Sequence, residues 1–259
     1  MMMKNNFPEL KVENFSKKYG SGKNIFTACK NISFTVNTGS VTGLIGPNGA
    51  GKTTLLKAIC GILYPSEGSI LLKIDENLAG QKNDLEFLRY NTGFVPETAE
   101  LDLNMSTKEI LYFHASMFFP EKNIINKNIE KAVNLCSLED VFYKKVRELS
   151  KGFKQRLSLA KAIVQDPKVL VLDEFSGGLD PSQIIQIRKV IENLSHTKTV
   201  ILSTHLLSDV KEICSNLLVL SHGSLKFEGS AEELVSSTNT KSFEEGFLKL
   251  TEERLGSKE

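Results

Sequence analysis

Two short runs of residues carry the spacing of phosphate chemistry. The first, GPNGAGKTT from Gly46 to Thr54, fits the pattern GxxxxGK[ST] and lies between an apolar stretch, VTGLI, and a stretch with helical spacing, TTLLKAIC. Gly46, Gly49 and Gly51 let the backbone curl so that successive amides face one anion, and the following helix turns its positive end to the same place. Pro47, Asn48 and Ala50 fill the loop between them, and Thr54 closes the run. Lys52 supplies a point charge for β and γ phosphates. Thr53 offers a hydroxyl to Mg²⁺, a cation that prefers hard oxygen ligands. The second run, VLVLDE, ends on Asp173 and Glu174. It reads as a buried strand whose carboxyl end holds acids, the place where open α/β sheets bind ligands. Neighbouring strand residues point to opposite sides. Asp173 is therefore expected to reach the Mg²⁺ shell and Glu174 the water that attacks the γ phosphate.

These residues need a scaffold, and the pattern of the chain describes one. Leu10, Val12 and Phe15, then Ile32, Phe34 and Val36, alternate in the strand period with turn residues between, which predicts an antiparallel β region. From Val41 a strand, loop and helix unit follows, with Gly61 placed to end the helix. A second α/β set comes late. It consists of VLVL before Asp173, a helix from about Pro181 to Leu194, a strand TVILS up to Ser203, another helix, and a strand LLVLS ending at Ser221. Between the two sets, from about Thr98 to Gln165, helical spacing takes over. Ile110, Phe113 and Met117 are expected on one face of one helix. The expected class is an α/β P-loop fold with a mostly parallel sheet, an N-terminal antiparallel β region and an inserted α-helical subdomain. Its core takes residues 1–96 and 166–235, and its helical part takes 97–165. The segment 236–259 is expected to be a polar linker and a short amphipathic helix around Phe243 to Leu250.

Composition narrows the function classes. The chain has 259 residues and a formal net charge of +1, too little to attract nucleic acid or anionic lipid through a long-range field. No apolar run approaches the ~20 residues of a membrane span, so direct membrane insertion is not expected. The N-terminal residues have no secretory pattern, which points to the cytosol. Cys29, Cys60, Cys136 and Cys214 are far apart and read as reduced, mostly buried thiols.

The stretch LSKGFKQRLSLAKAIVQDPKVLVLDE, beginning at Leu149, resembles the ATP-binding cassette family. The signature of that family, LSGGQ in its usual form, corresponds here to Leu149, Ser150, Lys151, Gly152 and Phe153. On its own chemistry Ser150 is a good N-cap for a helix whose apolar stripe is Phe153, Leu157, Ala160 and Val164. The resemblance covers nearly the whole chain and implies further roles. Tyr19 would stack on adenine, Asp180 in GLDP would belong to the D-loop, and His205 in STH would be the switch histidine. It implies an ATPase that uses ATP and Mg²⁺, with the P-loop of one subunit closing on Ser150, Lys151 and Gly152 of a second copy, a homodimer. The other expected partners are integral membrane subunits, with the chain peripheral on the inner face of the cell membrane, and the motif forms favour export. No nucleic-acid partner is expected.

Three departures from the family occur, at five positions. Glu97 in GFVPE stands where a metal-sensing glutamine is usual; as an acceptor it can still ligate Mg²⁺. Lys151 and Phe153 replace a glycine and a glutamine of the signature, and Phe175-Ser176 stands where Pro-Thr commonly follows the catalytic glutamate. Two other functions share the motifs: a soluble cassette ATPase of cofactor assembly or translation, and a nucleotide-gated module without turnover.

Overall fold

The computed structural model describes residues 8–22, 24–75, 78–175, 177, 179–204 and 207–252. The first alternating stretch forms β1 (Glu9–Tyr19) and β2 (Phe26–Val36), an antiparallel pair in which Tyr19 faces Phe26. β1 also pairs with β4 (Glu67–Lys73), a strand that follows the first helix, so the antiparallel sheet has the order β2-β1-β4. The second sheet has six strands. It contains β3 (Val41–Ile45), β5 (Thr92–Val95), β6 (Val169–Asp173), β7 (Thr199–Ser203), β8 (Asn216–Ser221) and β9 (Ser224–Gly229), in the order β5-β6-β7-β3-β8-β9. Only β9 runs antiparallel, in a hairpin with β8. The α/β class and the N-terminal antiparallel region are as the sequence leads one to expect.

Every residue of β3, β6 and β7 is buried, which is why these strands are predominantly apolar, with polar residues mainly at their ends, rather than alternating. Their two faces are covered by different layers. Val169 and Val171 pack with the antiparallel sheet and with α1 (Lys52–Ile59), while Leu170 and Leu172 pack with the helical layer. That layer consists of α3 (Thr107–Ser116), α4 (Lys122–Cys136), α5 (Lys151–Ile163) and α6 (Pro181–Ser195). The short α2 (Leu85–Asn91) leads into β5. The segment between Thr98 and Gln165 is helical, and it shares one continuous apolar core with β6, β7 and α6.

On α3 the buried face is Thr107, Ile110, Leu111 and Ala115, whereas Phe113 is 61% and Met117 58% exposed. The spacing of Ile110, Phe113 and Met117 is helical, but the partner layer lies to one side of that stripe and covers only its first residue. The stretch 236–242 is not a linker. Its first half ends α8 (Ala231–Thr238), which Ser230 caps, and Asn239 turns out of the helix at φ 52. Thr238 is buried, and Thr240 bonds it through the hydroxyl at 2.9 Å. Polar residues there serve as a helix end and a turn, which sequence polarity does not separate from a linker. The amphipathic α9 (Phe243–Glu252) follows as expected; α8, α9 and the switch-side helix α7 (Leu207–Ile213) cover β8.

Phe175 has a clear physical role. It is 1% exposed, among the largest fully buried side chains, and anchors the turn after Glu174 in the core beneath the helical layer. Phe175→Ala should therefore destabilise the fold by about 3–5 kcal/mol, read as a lower urea midpoint in equilibrium unfolding. The four cysteines are free thiols; Cys29, Cys60 and Cys136 are buried and Cys214 half-buried. Burial pushes the Cys29, Cys136 and Cys214 thiols up to about 12 and raises Cys60 as well, so none is a ready nucleophile.

Candidate nucleotide site

Residues 46–51 connect the carboxyl end of β3 to the amino end of α1. Gly46 and Ala50 are buried, and Pro47, Asn48 and Gly49 form an exposed crest. Gly51 takes φ 102 as the N-cap of α1, and no side chain caps that helix. A Cβ at Gly51 would lie 2.5 Å from the Ala28 carbonyl oxygen of β2, so the loop also needs glycine for close approach. The result is a helix amino end whose N–H groups are open to an anion.

Lys52 is buried at the base of this loop and donates through Nζ to the carbonyls of Gly46 at 2.8 Å and Pro47 at 3.2 Å. Burial lowers its pKa, while the charges of Glu174 and Asp173 act in the opposite sense. Thr53 donates from Oγ1 to Oδ2 of Asp173 at 2.9 Å. The two oxygens come from residues 120 positions apart, on α1 and at the end of β6, which only the packing of α1 on the sheet brings together. Thr54, half-buried, continues α1.

Glu174 lies one residue beyond β6 and takes φ 48. The expectation that strand alternation aims it away from Asp173 is corrected here: a left-handed backbone turn sets its direction. A non-glycine residue in that region carries strain of about 1–3 kcal/mol and persists where its surroundings fix it. Its N–H donates to the Ser203 carbonyl at 3.0 Å, its carbonyl accepts from Gly177, and Phe175 pins the next residue. Ser203 is also the register partner of Asp173 on β7. No local sequence signal marks Ser203, since its role comes from strand pairing.

The other expected site residues sit around this centre. Tyr19 is exposed at the end of β1, with the Lys17 ammonium 5.4 Å from its ring centre. Its strand partner Phe26 is two residues from Ala28, the residue packed against Gly51, so the aromatic end of the hairpin lies along the strand that backs the loop. Glu97 is exposed two residues after β5, beside the strand that carries Asp173. His205 lies outside the described residues.

Ser150 caps α5 by accepting from the Phe153 N–H at 3.3 Å. Ser150 and Lys151 are exposed and Gly152 is buried. A Cβ on Gly152 would lie 2.5 Å from the end of the Gln183 side chain of α6, so the two helices approach closely at this point. Asp180 caps α6 in a capping box with Gln183, and Pro181 follows at the first helical position. The hydrogen bonds from Ser182 and Gln183 lower the pKa of Asp180. The amino ends of α5 and α6 are thus side by side. Among the described residues no hydrogen bond joins Ser150, Lys151 or Gly152 to the P-loop of the same chain.

A profile of the ABC transporter family matches residues 29–177, more than half of the chain. This chain belongs to the ABC transporter family. An uncharacterized ABC transporter ATP-binding protein of Nostoc sp. is 37% identical over 82% of the chain, and the chain spans 62% of that relative's length. The Nod factor export ATP-binding protein I of Burkholderia lata is 35% identical over 80% of the chain and 67% of its own length. A solved ATP-binding subunit of an ABC transporter superposes with a TM-score of 0.80 at 26% identity, covering 93% of this chain and 98% of that one. The fold is that of an ABC ATPase cassette, which binds ATP and hydrolyses it. Among the described residues no helix is long and apolar enough to cross a membrane.

Proposed function

We propose that the chain is the ATP-hydrolysing subunit of an exporter, driving transport through separate membrane subunits from the inner face of the cell membrane. The observation that carries the hydrolytic part is the meeting of Thr53, Asp173 and Lys52 at the mouth of one loop, with Glu174 turned beside them. Gly46 to Thr54 bind the phosphates. Tyr19 receives the base. Thr53 and Asp173 supply two hard oxygens with the right chemistry for Mg²⁺, and Glu97 is the third candidate ligand. Two or three protein oxygens suit this ion, which keeps water and phosphate ligands as well. When bound, Mg²⁺ would neutralise charge on the β and γ phosphates. Glu174 positions the attacking water and accepts its proton, with His205 assigned to the γ phosphate side.

Ser150 and Lys151 at the start of α5 are exposed, and among the described residues no hydrogen bond ties Ser150, Lys151 or Gly152 to the P-loop of the same chain. We assign this helix start to the γ phosphate of ATP on a second copy, so that dimerisation and catalysis become one event. Asp180 sits beside it through the Gln183 contact and belongs to the same interface.

Export is favoured by the Burkholderia relative, an export ATP-binding protein, and by the motif forms around Glu97. The membrane contact is assigned to a groove of about 870 Å³ over α3 and the start of α4, lined by Met105, Lys108, Tyr112, Phe113 and Tyr143. Tyr143 is 77% exposed, and aromatic side chains gathered in that way fit an amphipathic cytoplasmic helix. The expected result is that the chain co-purifies from native membranes with an integral membrane protein, and that Phe113→Asp with Tyr143→Asp abolishes the association. A chain that is never recovered with a membrane protein defeats the transport reading.

A further inference from the structure

Asp209, in the first turn of α7, has a carboxyl group with no exposed surface. A buried carboxylate must be paired and hydrogen-bonded to remain ionised. Its Oδ1 accepts from the Arg188 guanidinium, and its Oδ2 accepts from the Thr204 hydroxyl at 3.2 Å. Arg188 stands about two turns into α6, the helix that Asp180 begins, and also donates to Glu212 of α7. Thr204 is itself buried and directly follows β7, whose last residue, Ser203, accepts the Glu174 N–H. One continuous set of contacts therefore runs from α6 through Asp209 and Thr204 to the backbone seat of Glu174.

Resting on the assignment of Glu174 to hydrolysis, we propose that Arg188 and Asp209 are a positioning pair for that residue. They fix the end of β7, and with it the carbonyl that holds Glu174 in its left-handed turn. The turn at φ 48 is the part of the site most dependent on its surroundings, because a side chain there has an easier backbone alternative. The seat on Ser203 opposes that alternative, and a carboxylate held on both oxygens keeps the seat in place. The pair acts through the end of β7 rather than on the phosphate loop itself, so turnover should depend on it far more than nucleotide affinity does. Arginine suits the position because its planar fork reaches Asp209 and Glu212 together, which a lysine ammonium does not reproduce.

The test uses the full chain with Mg-ATP and two gentle variants. Thr204→Val removes one hydroxyl and keeps the shape and the ion pair; Arg188→Lys keeps the charge and loses the fork. Each should lower kcat, by about tenfold or more and up to about 10²-fold, with the Kd for ATP changed less than twofold. Arg188→Met should fall further than Arg188→Lys, which places the effect on the pair rather than on bulk. Both gentle variants hydrolysing at the parent rate while folded, or losing ATP affinity in place of kcat, would overturn the proposal. Glu174→Gln measured alongside separates the two levels. Normal turnover in that variant removes the Glu174 assignment and this inference with it, whereas a dead Glu174→Gln beside unaffected Thr204 and Arg188 variants removes only the inference.

Discussion

Lys52→Ala should abolish turnover and reduce ATP affinity by about 10²–10³-fold, the larger of the two effects expected at this site. The lysine is buried and already held at the loop mouth by the Gly46 and Pro47 carbonyls, so its charge is in place before nucleotide arrives. A preorganised cation in a partly desolvated cradle stabilises phosphate far more than the same charge in water. Removing it also takes the side-chain donor from the Gly46 carbonyl, a cost of about 1–3 kcal/mol to the loop, while the Pro47 carbonyl still accepts from the Ala50 N–H at 3.1 Å. Titration with a fluorescent ATP analogue and steady-state hydrolysis with Mg-ATP read both effects. Affinity and rate within twofold of the parent would mean that phosphates are bound elsewhere. Thr53→Ala should behave differently, losing the contact to Asp173 and hence the metal seat, with Mg²⁺-free ATP binding retained.

Glu174→Gln should lower kcat by about 10²–10⁴-fold and leave ATP binding intact. Glutamine has nearly the shape of glutamate and tolerates the same backbone turn, but it accepts no proton at neutral pH. With the chemical step blocked, ATP stays clamped between the P-loop of one copy and the Ser150 helix start of the other, so the dimer should accumulate. Analytical ultracentrifugation at saturating ATP checks this directly. A monomeric Glu174→Gln chain under those conditions would contradict the two-copy clamp, and a hydrolysing one would move the proton acceptor to another residue.

The site was legible in the sequence to an unequal degree. The P-loop could be placed residue by residue because its chemistry is local: glycines, a lysine and a hydroxyl, ordered within one strand, turn and helix. The caps at Ser150 and Asp180 were legible for the same reason, since a helix start is decided by a few neighbouring residues. The orientation of Glu174 was not. Strand alternation gives a direction only inside the strand, and β6 ends one residue earlier. Likewise Phe175 looked like an unexplained departure until the core beneath it was visible, and which residues of the Ile110, Phe113 and Met117 face are covered depended on the position of the neighbouring layer.

The sequence by itself determined the α/β class, the glycine-rich loop proposed to take the triphosphate, the acids at the end of β6 and the resemblance to a family. These depend on short-range spacing, which survives without knowledge of the fold. Only the tertiary structure decided that Thr53 meets Asp173, that Ser203 seats Glu174, and that Arg188 and Thr204 converge on a buried Asp209. Those contacts join residues whose separation along the chain carries no periodic signal. They exist because parallel strands place distant segments side by side, and a buried carboxylate is stable there only where its partners arrive from other elements.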